Sequence, residues 1–283
     1  MLTDHRLREL AEHLLGVPGI EAVMLGGSRS RGTESPDSDV DLGLYYRPPL
    51  DVPALRHLAT TIAASRPDQG PVPDVTEPGG WGPWVDGGGW LTIDDMPVDW
   101  IYRDLDRVQR SWTMAQAGEF DVHFQVGHPL GFPDFAYAGE DALGVVLADS
   151  TGELTALHRA AAVYPAPLAA TIVERLGEAR FLLGALTKSA KRGDTTLVAG
   201  CLFRVVGLCA HAVHAQCDSW VISEKGLVDS AGRLPSAPAD FTERAHGILA
   251  RLGSTPEDLL VAIRAAEGLV DDVAAVRVTS QNG

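Results

Sequence analysis

Lysine is almost missing from this chain. Lys188, Lys191 and Lys225 are the only three in 283 residues, and none falls in the first half. The segment Gly27, four residues, Gly32, Thr33 nearly matches a P-loop, but its lysine is missing, because Arg31 and Gly32 directly precede Thr33. A P-loop kinase is therefore excluded. Cysteine is scarce too. Cys201, Cys209 and Cys217 are an odd count within one helical stretch, which argues against a disulfide framework and for small buried hydrophobes. No apolar run reads as long enough to span a bilayer. The opening MLTDHRLREL is charged and periodic, unlike a signal peptide. The expectation is a protein of the reducing cytoplasm with no membrane partner.

Positive charge is short overall. The net charge is −15. Residues 1–150 carry 24 Asp and Glu against 10 Arg, a net of −14, whereas residues 151–283 carry 14 against 13, a net of −1. An acidic half disfavours nucleic acid, which is bound through Lys and Arg at phosphates. It either attracts cations and cationic small molecules or serves solubility alone.

What the chain does have is order. DHRLRELAEHLL at 4–15 reads as a helix with Leu7, Leu10, Leu14 and Leu15 on one face. IEAVMLGG and DVDLGLYY read as strands, VPALRHLATTIAAS as a helix, and VPDVTEP, GGWLTI and MPVDWIYR as further strands between Gly and Pro turns. DLDRVQRSWTMAQAG returns to helix. Residues 134–150, 153–163, 167–191, 194–217, 238–252 and 256–276 read as helices. Strands first and helices later predict an α+β fold: a mixed-sheet domain over 1–133 and a helical bundle over 134–283.

The stretch LGGSRSRGTESPDSDVDLGLYY holds the chemistry. Alternate residues of a strand face one way, so Asp39 and Asp41 present two carboxylates to one side. Like charges so close are costly unless a cation lies between them. All-oxygen ligation suits magnesium held by carboxylates and substrate phosphates. Asp37 shares their parity but falls in the SPDS turn. Backbone N–H groups at Gly26, Gly27 and Ser28 would cradle an anion. Asp99, between Val98 and Trp100, is a third carboxylate on a strand expected beside DVDLGLYY.

GGSRSRGTESPDSDVDL resembles the Gly-Ser … Asp-x-Asp signature of the DNA polymerase β-like nucleotidyltransferase superfamily. The resemblance covers residues 26–41 plus Asp99. It implies a nucleoside triphosphate substrate and two magnesium ions, with manganese as a substitute. Asp39, Asp41 and Asp99 would be the metal-binding and catalytic residues. Gly27, Ser28, Arg29 and Lys225 would meet the nucleotide. The helical second half extends the resemblance, by architecture alone, to small bacterial aminoglycoside-type nucleotidyltransferases that pass a nucleoside monophosphate, usually from ATP, to an antibiotic hydroxyl. Glu77, Trp84, Asp86 and Glu224 are the expected acceptor contacts, with Asp94 and Asp95 as further acids on that side. Competing readings are a protein- or RNA-modifying enzyme and a non-catalytic regulatory module.

Several residues keep two readings. Lys225, expected in the first turn of a helix capped by Ser223, opposes the helix dipole. It is either a surface lysine or a phosphate contact. Arg204 either faces a cleft or lays its stem along apolar surface. Trp81, Trp84 and Trp90 stand among six glycines, as core residues or as a stacking wall. His211 and His214 lack further nearby zinc ligands, and His128 is a weak site candidate.

Overall fold

The computed structural model describes residues 2–32, 38–65 and 74–276. Thr33 and Asp37 lie outside the described residues. The chain forms two compact units, residues 1–114 with 120–163, and residues 115–119 with 164–283.

The first unit opens with α1 (Asp4–Leu15). Thr3 caps it by accepting from the Arg6 N–H, and Gly16 follows its last residue. Then come β1 (Ile20–Leu25), the short α2 (Gly27–Ser30), β2 (Val40–Tyr46) and α3 (Val52–Ile62). Asp51 caps α3 by accepting from Ala54 N, and Pro53 sits in its first turn, where no N–H is needed. Short strands β3 (Ala64–Ser65) and β4 (Asp74–Val75) lead to β5 (Gly88–Ile93) and β6 (Met96–Asp104). Asp94 and Asp95, both at positive φ, make the two-residue turn between β5 and β6. Next are α4 (Leu105–Ala117), the hairpin β7 (Val122–Gln125) and β8 (His128–Pro133), α5 (Ala136–Leu143), β9 (Val145–Asp149) and α6 (Glu153–Ala161).

Seven strands make one sheet in the order β3-β5-β6-β2-β1-β9, with β4 also on β5. β2 and β6 run parallel and the other pairs antiparallel, so the sheet is mixed. Alternation splits its residues between two faces. Val40, Leu42, Leu44, Val98, Trp100 and Tyr102 join Leu7, Leu10, Leu14 and Leu55 in the larger core. Truncating a leucine there to alanine would cost about 2–5 kcal/mol. The opposite face carries a smaller core, in which Ala22, Met24 and Tyr45 meet Leu105, Phe132, Tyr137 and Leu154. Just past β2, Arg47 bridges Asp106 of α4 (2.8 Å) and Glu153 of α6 (2.7 Å).

Residues 134–150 were expected to be a single helix and the sheet domain to end at 133. Gly144 instead closes α5, and β9 follows as an edge strand hydrogen-bonded to β1. Residues 134–163 therefore belong to the sheet unit. The 167–191 helix is two, divided at Arg175.

The second unit comprises α7 (Ala166–Glu174), α8 (Leu176–Lys191), α9 (Thr195–Ala215), α10 (Leu227–Gly232), α11 (Phe241–Ala250) and α12 (Pro256–Ala275). α8, α9 and α12 pack on one another, and a Thr255–Asp258 capping box starts α12. α9 corrects the expectation about apolar runs. It is long and apolar enough to cross a membrane, although more than half of its apolar window is buried in the helical unit. Core helices of globular units meet the same criterion.

Candidate active site

The carboxylates converge on the sheet face opposite α1 and α3. Val40 and Leu42 point into the larger core, so Asp41 between them points the other way, and Asp99 between Val98 and Trp100 does likewise. Asp41 and Asp99 are direct partners in the parallel β2–β6 register. Adjacent strands lie about 4.8 Å apart, so the two side chains rise side by side. Asp39 stands one residue before β2, with the parity of Asp41. All three are half-buried.

The glycine turn fits against this row. Gly26 N donates to the Asp41 carbonyl at 2.9 Å, which places the turn at the start of β2. Gly27 has φ +65°, and a Cβ there would overlap the Asp41 carboxylate. Only glycine suits both the left-handed backbone and the approach of the acid. Ser28 is the second residue of α2, and the Ser30 hydroxyl closes the turn on the Gly27 carbonyl at 3.1 Å. Arg29 reaches across to the entry of β2. Its Nη2 donates to the Ser38 carbonyl (2.7 Å) and its Nε to the Asp39 carbonyl (3.2 Å). These acceptors are neutral, so Arg29 fixes the segment bearing Asp39 while bringing a positive charge beside the acids.

The row continues across the sheet. Trp90 is the partner of Asp99 on β5, and Asp74 is the partner of Trp90 on β4. Trp81 stacks on Trp90 with centroids 4.5 Å apart and planes 18° from parallel. Asp74 is the member that the sequence pattern does not single out, and Trp90 stands out there only as a core residue or stacking wall, not as a neighbour of Asp99. The signal was the β4–β5–β6 register, which no local pattern displays.

Other expected contacts lie elsewhere. Trp84 is built into the smaller core: it stacks on His123 at 3.5 Å, and its carbonyl accepts from the Tyr137 hydroxyl at 2.5 Å. Asp86 is buried, accepts from the Tyr46 hydroxyl at 2.5 Å and faces Arg107 at 3.7 Å. Burial and that carboxylate push the Tyr46 phenol pKa up. Asp86 thus completes a buried polar set, whereas the Trp84 ring is half-buried in an aromatic cluster with His123, Phe132 and Tyr137. Glu77 is exposed and pairs with Arg56 at 3.0 Å. Asp94, exposed in the β5–β6 turn, pairs with Arg6 at 2.8 Å. His128 packs edge-on against Phe132.

Glu224 and Lys225 belong to the helical unit. Ser223 accepts from Lys225 N at 3.2 Å, but α10 starts only at Leu227, behind Gly226 in the left-handed conformation. The expected helix start at Ser223 is thus a turn. Gly226 stands where a helical first turn would have continued. Arg204 pairs with Glu178 at 2.9 Å, and with Arg175 it holds that carboxyl below the usual range. His214 is buried between the Ser219 and Ser230 hydroxyls, and burial lowers its pKa to about 4.

Behind the acidic row, on the same face, Tyr45 donates to Asp141 Oδ1 at 2.7 Å. Burial raises the Asp141 pKa to about 8, and Asp141 Oδ2 has no hydrogen-bond partner. Arg103 and Glu140 form a two-pronged pair nearby.

Among the described residues, Asp121, His123 and Asp134 bring ligand atoms within 4.8 Å of one another on the β7–β8 hairpin. Asp134 is satisfied by the Asp121 N–H (3.2 Å) and faces His123 Nε2 (3.3 Å). The imidazole makes this set less suited to magnesium than the all-oxygen Asp row.

Residues 6–78 match the model of the nucleotidyltransferase domain family. This stretch of the sheet unit is similar to a nucleotidyltransferase domain. The match takes in the glycine turn, Asp39 and Asp41; Asp99 lies beyond it and is set beside Asp41 by the β2–β6 register. A nucleotidyltransferase-like protein from Exiguobacterium sibiricum 255-15 is similar over 95% of this chain and 74% of its own, at 10% identity and a TM-score of 0.45. No curated protein sequence matches the chain.

Proposed function

We propose that the protein transfers a nucleoside monophosphate from a nucleoside triphosphate, ATP in the first instance, to a hydroxyl of a small cationic acceptor of aminoglycoside type. The observation that carries this reading is the adjacency of Asp41 and Asp99 in register, with Gly27 packed on the Asp41 carboxylate. Asp39, Asp41 and Asp99 offer hard oxygen donors on one face, a set that fits magnesium or manganese. Two such ions, when bound, would neutralise the triphosphate and the departing pyrophosphate.

The protein's own residues do the rest. Gly27 and Ser28 hold the phosphates with backbone N–H groups and the serine hydroxyl. Arg29 keeps Asp39 in place and adds positive charge. Asp99 takes the proton of the acceptor hydroxyl. That oxygen bonds to the α-phosphorus while the bond to the bridging oxygen breaks. The products are a nucleotidylated acceptor and pyrophosphate. An acidic sheet unit favours a cationic acceptor over nucleic acid. Three intact carboxylates favour an enzyme over a silent module. Free cysteines suit a cytoplasmic setting. Resistance to a cationic antibiotic is the physiological role this chemistry would serve. The test is to incubate the protein with each nucleoside triphosphate, magnesium and a panel of cationic, neutral and protein acceptors. Pyrophosphate and a mass shift on a cationic acceptor support the reading; transfer only to protein or neutral acceptors overturns the acceptor assignment.

A further inference from the structure

We propose that the Trp81–Trp90 stack is the platform on which the acceptor's ring lies, and that it selects a ring carrying ammonium groups. The inference rests on the nucleotidyl-transfer reading and specifies its acceptor side.

Trp90 is an unusual neighbour for a carboxylate cluster. It is 37% exposed, and its side chain rises on the same face as Asp99 and Asp41. Asp99 lies one strand to one side and Asp74 one strand to the other, each about 4.8 Å away along the sheet. The indole is thus set between two acids, one of which would accept the reacting proton. A flat π face between carboxylates suits a cation borne on a ring with apolar C–H surface. It suits a neutral sugar or a flexible linear amine less well.

The platform is held in place. Gly88 precedes Trp90 by two residues and so lies on the same face of β5. It has φ +153°; a Cβ there would meet the Trp100 carbonyl and come within 3.1 Å of the Trp81 ring. The bare glycine lets Trp81 lie over the strand and stack against Trp90. The Trp81 carbonyl accepts from Gln125 Nε2 at 2.8 Å. Gln125 is itself buried, and its Oε1 accepts from both Trp84 N and Val85 N at 3.1 Å. A buried amide thus anchors the loop that delivers Trp81. Gln125 is a positioning residue, and the ring pair is preorganised rather than assembled on binding.

The test is calorimetric binding of three probes to the full chain: 2-deoxystreptamine, its N-acetylated neutral form, and the linear polyamine spermidine. A nucleotide titration with magnesium runs in parallel. The wild type should bind the aminocyclitol in preference to both other probes. Trp90→Leu should weaken the aminocyclitol by about tenfold, and Trp90→Phe by less, as a retained π face predicts. Nucleotide affinity should stay within about twofold in both variants. Equal affinity of the wild type for the charged and acetylated rings, no binding of the aminocyclitol at all, or Trp90→Leu without effect would overturn the proposal. Loss of nucleotide binding in the wild type would instead count against the transfer reading itself. Gln125→Leu gives a second handle: it should weaken the aminocyclitol while Trp90 is intact, with the fold checked by circular dichroism.

Discussion

Asp41 and Asp99 are register partners on the only parallel strand pair among the described residues. Two carboxylates so placed repel, and a neutral amide at either position relieves that repulsion. Asp99→Asn should therefore leave apo stability unchanged or slightly raised. As the acceptor-side base it should lower turnover by roughly 10²-fold or more. Nucleotide affinity should fall less than in Asp41→Asn, measured by titration with a fluorescent nucleotide. Equal loss of affinity in both variants would show that Asp99 serves the nucleotide rather than the acceptor.

Gly27 is where the turn and the acids meet. Gly27→Ala puts a Cβ into the Asp41 carboxylate at a φ that L-residues rarely adopt. The expected cost is about 1–3 kcal/mol in urea unfolding, together with loss of transfer beyond what stability explains. Gly32→Ala also falls at positive φ, but nothing lies within 4 Å of its added Cβ. It should cost stability through backbone strain while sparing Asp41. If both variants keep wild-type turnover, the close approach has no part in the chemistry.

Asp141 ties stability to pH. Its folded pKa of about 8 lies above its unfolded value, so the folded state keeps the proton longer. Its contribution is full below about pH 4 and is lost progressively as pH rises through about 8. Asp141→Asn keeps an acceptor for the Tyr45 hydroxyl and removes the titration. The variant should gain melting temperature relative to wild type at pH 8.5 and show little difference at pH 4. Differential scanning calorimetry across that range checks it. A constant offset between the two proteins would mean that Asp141 is ionised in the fold.

The carboxylate row was legible because it is written locally. Asp39 and Asp41 share strand parity, Asp99 interrupts an apolar strand, and the glycines precede them directly. α1, β2, β5 and β6 follow from short-range pattern and caps in the same way. β9 did not, because VVLAD is too short for its period to separate strand from helix. Its identity comes from pairing with β1, more than a hundred residues away. Trp84 and Asp86 show the same limit at the site. The glycine-rich hairpin and the local acidity suggested them as acceptor contacts, but Tyr46, brought by a distant element, takes Asp86 into a buried pair, and His123 and Tyr137 hold Trp84 in an aromatic cluster. Trp90 shows the reverse, since only the β5–β6 register places it beside the third acid.

The most direct measurement is pyrophosphate release by wild type and Asp41→Asn, with magnesium, ATP and a cationic aminocyclitol acceptor, alongside thermal melts of both proteins. The account predicts acceptor-dependent release by the wild type, matched by a nucleotide-sized mass gain on the acceptor. It predicts at least 10²-fold less release by Asp41→Asn at an unchanged or slightly higher melting temperature. Near wild-type turnover in Asp41→Asn, with magnesium present and the fold intact, would contradict the assignment of this sheet face as the active site.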